Sequence, residues 1–402
     1  MKTYGEIMLI VVPIFLVLAL LEKWYGWRKG KDTVRNMDMI SSISSGVTNI
    51  TKDSLGLTIS LFSYAWMVGH LAVLPLRNTL LTYAVALVVI DFQVYWTHRL
   101  SHRVNYLWNT HAIHHSSEEF NLACSLRQGI SSIFNPFSPL LLPAALLGVP
   151  LEVILVVAPF HLFAQFWYHT RHIGKLGILE WFFVTPSHHR VHHAINPEYL
   201  DRNFASLFIF WDRLFGTFQE ELDGVPPVYG ITRPAATWNP IRIGFQHLWL
   251  LAKDAWRTAS IADKARIWFM PTGWRPADVR KAYPVAWIKD VYRFEKYDPR
   301  HNRLLPAWSW VQLGVALFLV LYMFGNAARI GTPAIYRYGG FILLSVFAMT
   351  ELMDRRRLAL LWEGIRDLLG IVWIVRTGDW FGIRDMALPH GMSSFRISRW
   401  PR

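Results

Sequence analysis

Eight histidines in three short groups are the residues of this 402-residue chain best placed to do chemistry. The groups are His98-Arg-Leu-Ser-His102, then His111-Ala-Ile-His114-His115, then His189-Arg-Val-His192-His193 with His188 just before it. On a helix, residues three or four apart share a face. His98 and His102 can therefore aim at one centre, while His111 and His189 each reach two histidines one turn on. Adjacent histidines such as His114 and His115 diverge by a quarter-turn or more, so one such pair can serve two metal ions. Eight imidazoles exceed what one ion of coordination four to six accepts and suit two. A dinuclear, nitrogen-rich metal site follows.

Imidazole serves iron, zinc, copper and nickel, so spacing alone leaves the ion open. A structural zinc site needs only four ligands and no open position. Eight histidines beside a membrane point instead to oxygen activation by iron. The single cysteine, Cys124, cannot form an internal disulfide and offers no thiolate cluster.

The elements that must carry these groups are set by composition. The chain is 53% hydrophobic and only 17% charged, with 20 Trp, 25 Phe and 15 Tyr; soluble domains run nearer a quarter charged. This is the composition of an all-α integral membrane protein, a multi-span helical bundle carrying a histidine-rich dimetal domain. The surplus of 13 positive charges borders apolar runs, which fits anionic lipid head groups and no nucleic acid. The aromatic residues read as an interfacial belt.

The apolar run at 7–21 reads as a first span, and those at 55–74 and 79–96 are each near the ~20 residues a crossing requires. The last two, separated only by 75–78, are expected to form a tight hairpin. The basic stretch after the first run belongs in the cytoplasm, so the third span should deliver His98 to the cytoplasmic face. The run at 134–167 is broken by prolines and too short for two crossings, so a helical hairpin returning to the same side is expected. Runs at 308–324, 338–349 and 358–375 predict two or three further spans. The organisation expected is 1–97 N-terminal transmembrane helices, 98–235 the histidine-box region, 236–305 a cytoplasmic linker, and 306–402 C-terminal transmembrane helices and tail.

At the histidine boxes the sequence resembles the fatty acid hydroxylase (sterol desaturase) superfamily, whose signature is HxxxH, HxxHH and HxxHH. The likeness extends through Asp91 to Arg99, His114 to Glu118, Asn121-Leu122, Leu126 to Gln128, Thr185 to His193, Asn203-Phe204 and Trp211 to Phe218. The first of these resembles the family's span-end signature, and the rest, with the extra C-terminal spans, resemble the alkylglycerol monooxygenase branch; bacterial members of unassigned substrate are similar as well. The resemblance implies a membrane monooxygenase in which two irons activate O2 to hydroxylate a lipid C–H bond. Zinc can take the same nitrogens in purified protein, and an external reductant, a pterin or a redox protein, supplies electrons. It also implies His169 as a further ligand.

Other residues have supporting readings. Asp91 and Asp212 are candidate partners for the outer N–H of a metal-bound imidazole. Asn121, Arg127 and Asn203 could orient ligands or bind a lipid head group, and His172 and His188 could donate toward ligands or substrate. His70, His161, His247, His301 and His390 read as hydrogen-bonded interfacial residues. The expected activity is oxygen-dependent hydroxylation of a lipid. The alternatives are a hydroxylase or desaturase of sterol, carotenoid or aminolipid, and a non-catalytic metal-binding membrane protein. A transporter would place ligands mid-span, whereas these boxes fall outside the apolar runs.

Overall fold

The computed structural model describes residues 2–383 apart from Leu61 and Pro75; His390 and the rest of 384–402 lie outside the described residues. The described residues are mostly helical, with almost no strand. Their only ladder is a two-residue parallel pairing of β1 (Ile59–Ser60) with β2 (Phe134–Asn135). Three helices are long and apolar enough to cross a membrane, at Leu9–Arg28, Leu80–Arg103 and Leu304–Ile330. Together with the exposed Leu, Ile and Val side chains along them, they make this a helical membrane protein.

The first of these lies in α1 (Lys2–Arg28), and the chain then enters α2 (Asn36–Ser54). Helix α2 is rich in Ser and Thr, yet most of it is buried. Its start bonds Trp310 through Asn36, and Val47 and Leu55 near its end pack with Val320, Met323 and Phe324. It therefore runs alongside α13 (Leu304–Ile330). Helices α14 (Ala334–Met353) and α15 (Ala359–Thr377) complete this bundle.

The run at 55–74 is not a second crossing helix. It turns at Leu55–Gly56, forms β1, and becomes helical only over α3 (Tyr64–Leu71). Eight residues rise about 12 Å, well short of a bilayer. The expected hairpin between 55–74 and 79–96 is therefore absent. Apolar residues in that run instead pack Tyr64 and Met67 against Ala144, Ala145, Val149 and Val153 and leave Ile59, Phe62 and Trp66 exposed.

Helix α4 (Leu80–Arg103) starts where the Thr79 side chain caps it, and it carries the first histidine box at its last turn. Val104, in extended conformation, breaks the helix, and α5 (Asn105–His115) folds back beside α4 with the second box. Over 134–167 the chain forms α6 (Leu142–Leu146) and α7 (Leu151–Phe163), both packed on α4. Gly148 has φ +65° and sits against the Leu74 carbonyl, where a Cβ would lie 1.6 Å from the oxygen. The third box is on α8 (Pro186–His192), and α9 (Phe210–Leu214) follows it. Beyond lie α10 (Pro240–Arg257), which packs on α5, and the short α11 (Ile261–Arg266) and α12 (Ala277–Ala282).

Candidate metal centre

Nine histidines gather into two adjoining clusters. His98, His102, His111, His115 and His192 form one, and His114, His169, His189 and His193 form the other; within each, every ring offers a nitrogen within 4.8 Å of all the others. Helix geometry explains the division. In the second box the i and i+4 rings, His111 and His115, go to the five-membered cluster and His114 goes to the other. In the third box His189 and His193 go to the four-membered cluster and His192 crosses over. His98 and His102 add a pair to the first cluster, while His169, from the loop after α7, adds one ring to the second.

The nitrogens are spaced as ligands of common ions. Nε2 of His115 lies 3.1 Å from Nε2 of His102, of His111 and of His192. In the other cluster His193–His114, His193–His189 and His189–His169 are 3.1, 3.0 and 2.9 Å apart, and His169–His114 3.5 Å. Two nitrogens each ~2.1 Å from one ion, at ~90–110°, lie ~3.0–3.4 Å apart. Imidazole–imidazole hydrogen bonds account poorly for His115, because a single Nε2 can serve as donor or acceptor to only one partner well, and here it faces three. The Nε2 of His98 is buried with no partner at all. The donor set therefore fits two metal ions of the kind imidazole binds.

Four of the outer ring nitrogens are held by backbone carbonyls, whereas Nδ1 of His189 is buried without a partner. Nδ1 of His98 donates to Phe204 O (2.8 Å), His114 to Arg127 O (3.2 Å), His169 to Gln165 O (3.0 Å) and His192 to Arg202 O (2.9 Å). His102 faces the Asp201 carboxylate at 3.4 Å. Each such bond fixes the tautomer that turns the Nε2 lone pair inward. Burial keeps His111, His115, His169, His189, His192 and His193 well below the ordinary imidazole range, and His114 at about 4. The rings stand neutral, the form that binds metal.

The supporting residues act through backbone more than through the rings. Asp212 is fully buried and accepts the N–H groups of Phe204 and Ala205, both at 2.8 Å, and the Thr217 hydroxyl at 2.7 Å. It thereby fixes the carbonyl that orients His98. Asp91 does not meet a cluster histidine. Its carboxylate accepts from His161 at 2.6 Å, from the N–H groups of Leu207 and Phe208, and from the Trp211 indole, pinning the same loop to α4. His161, expected at an interface, is accordingly buried.

The head-group roles considered for Asn121, Arg127 and Asn203 find no free side chain. Arg127 is fully buried on Asp38 (2.9 Å), Ser42 and Ser116, and its contribution to the site is the carbonyl that holds His114. Asn121 bonds Thr33 O and Cys124 N. Asn203, at φ +56°, bonds His188 O and Gln219. His172 lies outside both clusters, against Thr33 and Tyr25. His188 also lies outside; its ring accepts Thr185 N–H and caps α8.

Sequence reasoning passed over Asp201, Glu22, Arg190 and Glu221. Arg190 binds Glu221 through two nitrogens (2.8 and 2.6 Å) and also the carbonyls of Thr170 and Ile173, so it ties the His169 loop to α8. Glu22, on α1, accepts Thr170 and Leu122 N, both at 2.6 Å. Nothing in the local pattern flags these pairings, because each partner lies far away along the chain.

Aromatic rings line the four-histidine cluster: Tyr168 lies 4.3 Å from His189, and Phe120 stacks on His169 and Tyr229. The five-histidine cluster is open. His102, His115 and His192 of that cluster, with His193 of the other, form one wall of a cavity of about 170 Å³ that extends to α10.

Residues 83–217 match the fatty acid hydroxylase family. An alkylglycerol monooxygenase of Xenopus tropicalis is 35% identical over 358 residues, 88% of this chain and 79% of that protein. The human alkylglycerol monooxygenase is 35% identical over 395 residues, 96% and 85% of the two chains. An ornithine lipid hydroxylase of Rhizobium tropici is 31% identical over 151 residues, 38% of this chain and 43% of that one. No solved structure matches.

Proposed function

Because the chain belongs to the alkylglycerol monooxygenase branch of the fatty acid hydroxylase family, we propose that it is a di-iron monooxygenase, with His98, His102, His111, His115 and His192 holding one iron and His114, His169, His189 and His193 the other. It is a membrane lipid hydroxylase and an oxidoreductase. The single observation that carries the metal assignment is the pair of Nε2 clusters with ligand-like spacing. When bound, the irons supply the reduction of O2 and the oxidant for an unactivated C–H bond.

The protein's own residues do the rest. Carbonyls of Phe204, Arg127, Gln165 and Arg202 aim the imidazoles, and burial keeps the rings unprotonated. Phe120, Tyr168 and Tyr229 shield the four-histidine cluster on the side away from His193, and the cavity admits the reacting group beside His102, His115 and His192. The overall balance is C–H plus O2, two electrons and two protons giving C–OH and water. A reduced pterin or a redox protein furnishes the electrons. If the carbon attacked adjoins an ether oxygen, the product is a hemiacetal that collapses to aldehyde and alcohol. The overlap with the ornithine lipid hydroxylase favours hydroxylation of an aminolipid as the second reading.

The chemistry is assigned to the cytoplasmic face. Lys23 near the basic end of α1 bonds Val34 O, and Glu22 beside it accepts the hydroxyl of Thr170, the residue next to His169, so that end adjoins the metal centre. Short basic segments stay in the cytoplasm. This support is independent of the misread span at 55–74.

The test is metal analysis of the purified protein together with O2 uptake on alkylglycerols and on a total lipid extract. About two irons per chain, lost with turnover in His111→Ala, are expected. Zinc alone, with no oxygen uptake after iron reconstitution, would favour a non-catalytic metal-binding protein.

A further inference from the structure

The wall of the cavity opposite the five-histidine cluster carries polar groups that no protein partner uses. Arg275 is neutralised there, bonded through two nitrogens to buried Asp254 at 2.5 and 2.9 Å. Arg233 also lines the cavity and is half-buried, yet it has no hydrogen bond or ion pair with any described residue. Asp254, the carboxylate whose charge it feels, is already bonded to Arg275, so the half-buried guanidinium has no anion of its own, and its planar fork suits an oxyanion. Beside it, His247 bonds the Asn105 backbone through its ring, while its Nε2 is buried with no partner. Burial and the charge of Arg233 push this imidazole down to about 4, so it is neutral. The idle Nε2 is then an acceptor for a hydroxyl.

Size and position indicate where the anion comes from. About 170 Å³ is below the ~300–1,000 Å³ of pockets that enclose whole drug-sized ligands, so a polar head fits and a long chain stays outside. Helix α10 forms this wall, with Gln246, His247 and Leu251 turned inward. Its other face shows Trp249 at 62% and Trp256 at 86% exposure, with Lys253 over the Trp249 ring. Exposed Trp interleaved with Lys is the pattern of a segment lying in the head-group layer. A lipid can therefore enter past α10, head first.

We propose that Arg233 and His247 form a head-group subsite that holds the phosphate and a hydroxyl of a phosphate-bearing lipid beside the five-histidine cluster. This rests on the lipid-oxidising reading above and narrows its substrate class.

The experiment measures anaerobic binding to the iron-loaded full chain in detergent. The ligands are a 1-O-alkylglycerol 3-phosphate and the neutral 1-O-alkylglycerol of equal chain length. Arg233→Ala should cut the preference for the phosphate lipid by about ten- to hundredfold, the loss expected for hydrogen bonds to a charged group. Arg233→Lys should recover part of it, and it carries the test alone if the alanine variant does not fold. An unchanged preference, or equal weakening toward both lipids, overturns the assignment. So does displacement of the lipid by inorganic phosphate at matched concentration, which would mark a free-phosphate site. Binding is read without O2, so a chain that oxidised neither lipid would sink the functional reading while leaving the subsite result intact.

Discussion

Substituting Asp212 by Asn should loosen one metal ion and spare the other. The carboxylate receives two backbone N–H groups at 2.8 Å and the Thr217 hydroxyl. Asn is nearly the same size but keeps one acceptor oxygen and turns an NH2 toward the second N–H. The loss is one charge-assisted bond plus one unsatisfied buried donor, together about 3–5 kcal/mol. That is a large share of an ordinary domain's ~5–15 kcal/mol, so the variant should fold with a lowered melting temperature. The consequence for the site runs through Phe204, whose carbonyl holds His98 Nδ1 at 2.8 Å. Loss of such an orienting bond costs about 10–100-fold in metal affinity. The four-histidine cluster takes its orienting carbonyls from Arg127 and Gln165, which Asp212 does not touch. Chelator titration followed by mass spectrometry of the intact protein should show one ion leaving at 10–100-fold lower chelator and the second leaving as in the parent. Simultaneous loss of both ions, or parental retention of both, refutes the argument.

His169→Ala removes one of four rings from its cluster, so metal content should fall from about two ions per chain to about one; prior emptying of the five-histidine cluster would contradict the partition. Gly148→Ala places a methyl on a φ +65° residue 1.6 Å from the Leu74 carbonyl, a backbone clash that should cost more than ~3 kcal/mol. Gly174→Ala, with nothing within 4 Å, should melt like the parent, and equal melting of both variants would show that the turn adapts. Acid should destabilise the metal-free protein. His247 titrates at about 4 when folded and near 6.5 when unfolded, so the unfolded chain binds the extra proton and stability falls as pH drops from 6.5 to about 4. His247 alone contributes about 3 kcal/mol of that loss, and His247→Gln should flatten the fall in melting temperature. A variant as acid-sensitive as the parent would remove His247 from the explanation.

The metal centre was legible where helical spacing does the positioning. The boxes hold their histidines at three- and four-residue intervals, which fix relative direction within a turn, and the structure assembles all eight with His169. The partners of those rings were not legible, because a carbonyl such as Phe204 O or Arg127 O belongs to every residue alike and leaves no compositional trace. Asp91 and Asp212 were picked out, but their targets are backbone N–H groups one step from the rings. In the membrane region, hydropathy identified helices that face lipid and misjudged those that do not. Helix α2 lies within the bundle beside α13, with Ser41, Ser42, Ser44, Ser45 and Thr48 buried. Small polar residues permit close helix approach there and erase the apolar signal. The opposite error befell 55–74, where Ile59, Phe62 and Trp66 are apolar and exposed without a crossing helix.

The two HxxHH boxes are related by exchange of roles, and that exchange explains why two clusters form instead of one. Each box spends its i and i+4 rings on one cluster and its i+3 ring on the other. The second box favours the first cluster, and the third box favours the second. Three rings per cluster follow from these two helices alone, and the dipeptides His114-His115 and His192-His193 bridge the pair. Their backbone separations therefore set how far apart two bound ions can sit. What breaks the symmetry is supplied elsewhere. Helix α4 contributes two rings to the first cluster, whereas the loop after α7 contributes only His169 to the second. The five-ring cluster adjoins the cavity through His102, His115 and His192, whereas the four-ring cluster meets it only through His193 and is otherwise lined by Phe120, Tyr168 and Tyr229. An ion held by the four-ring cluster would thus be the more shielded from the cavity, and one held by the five-ring cluster would face it through three of its ligands.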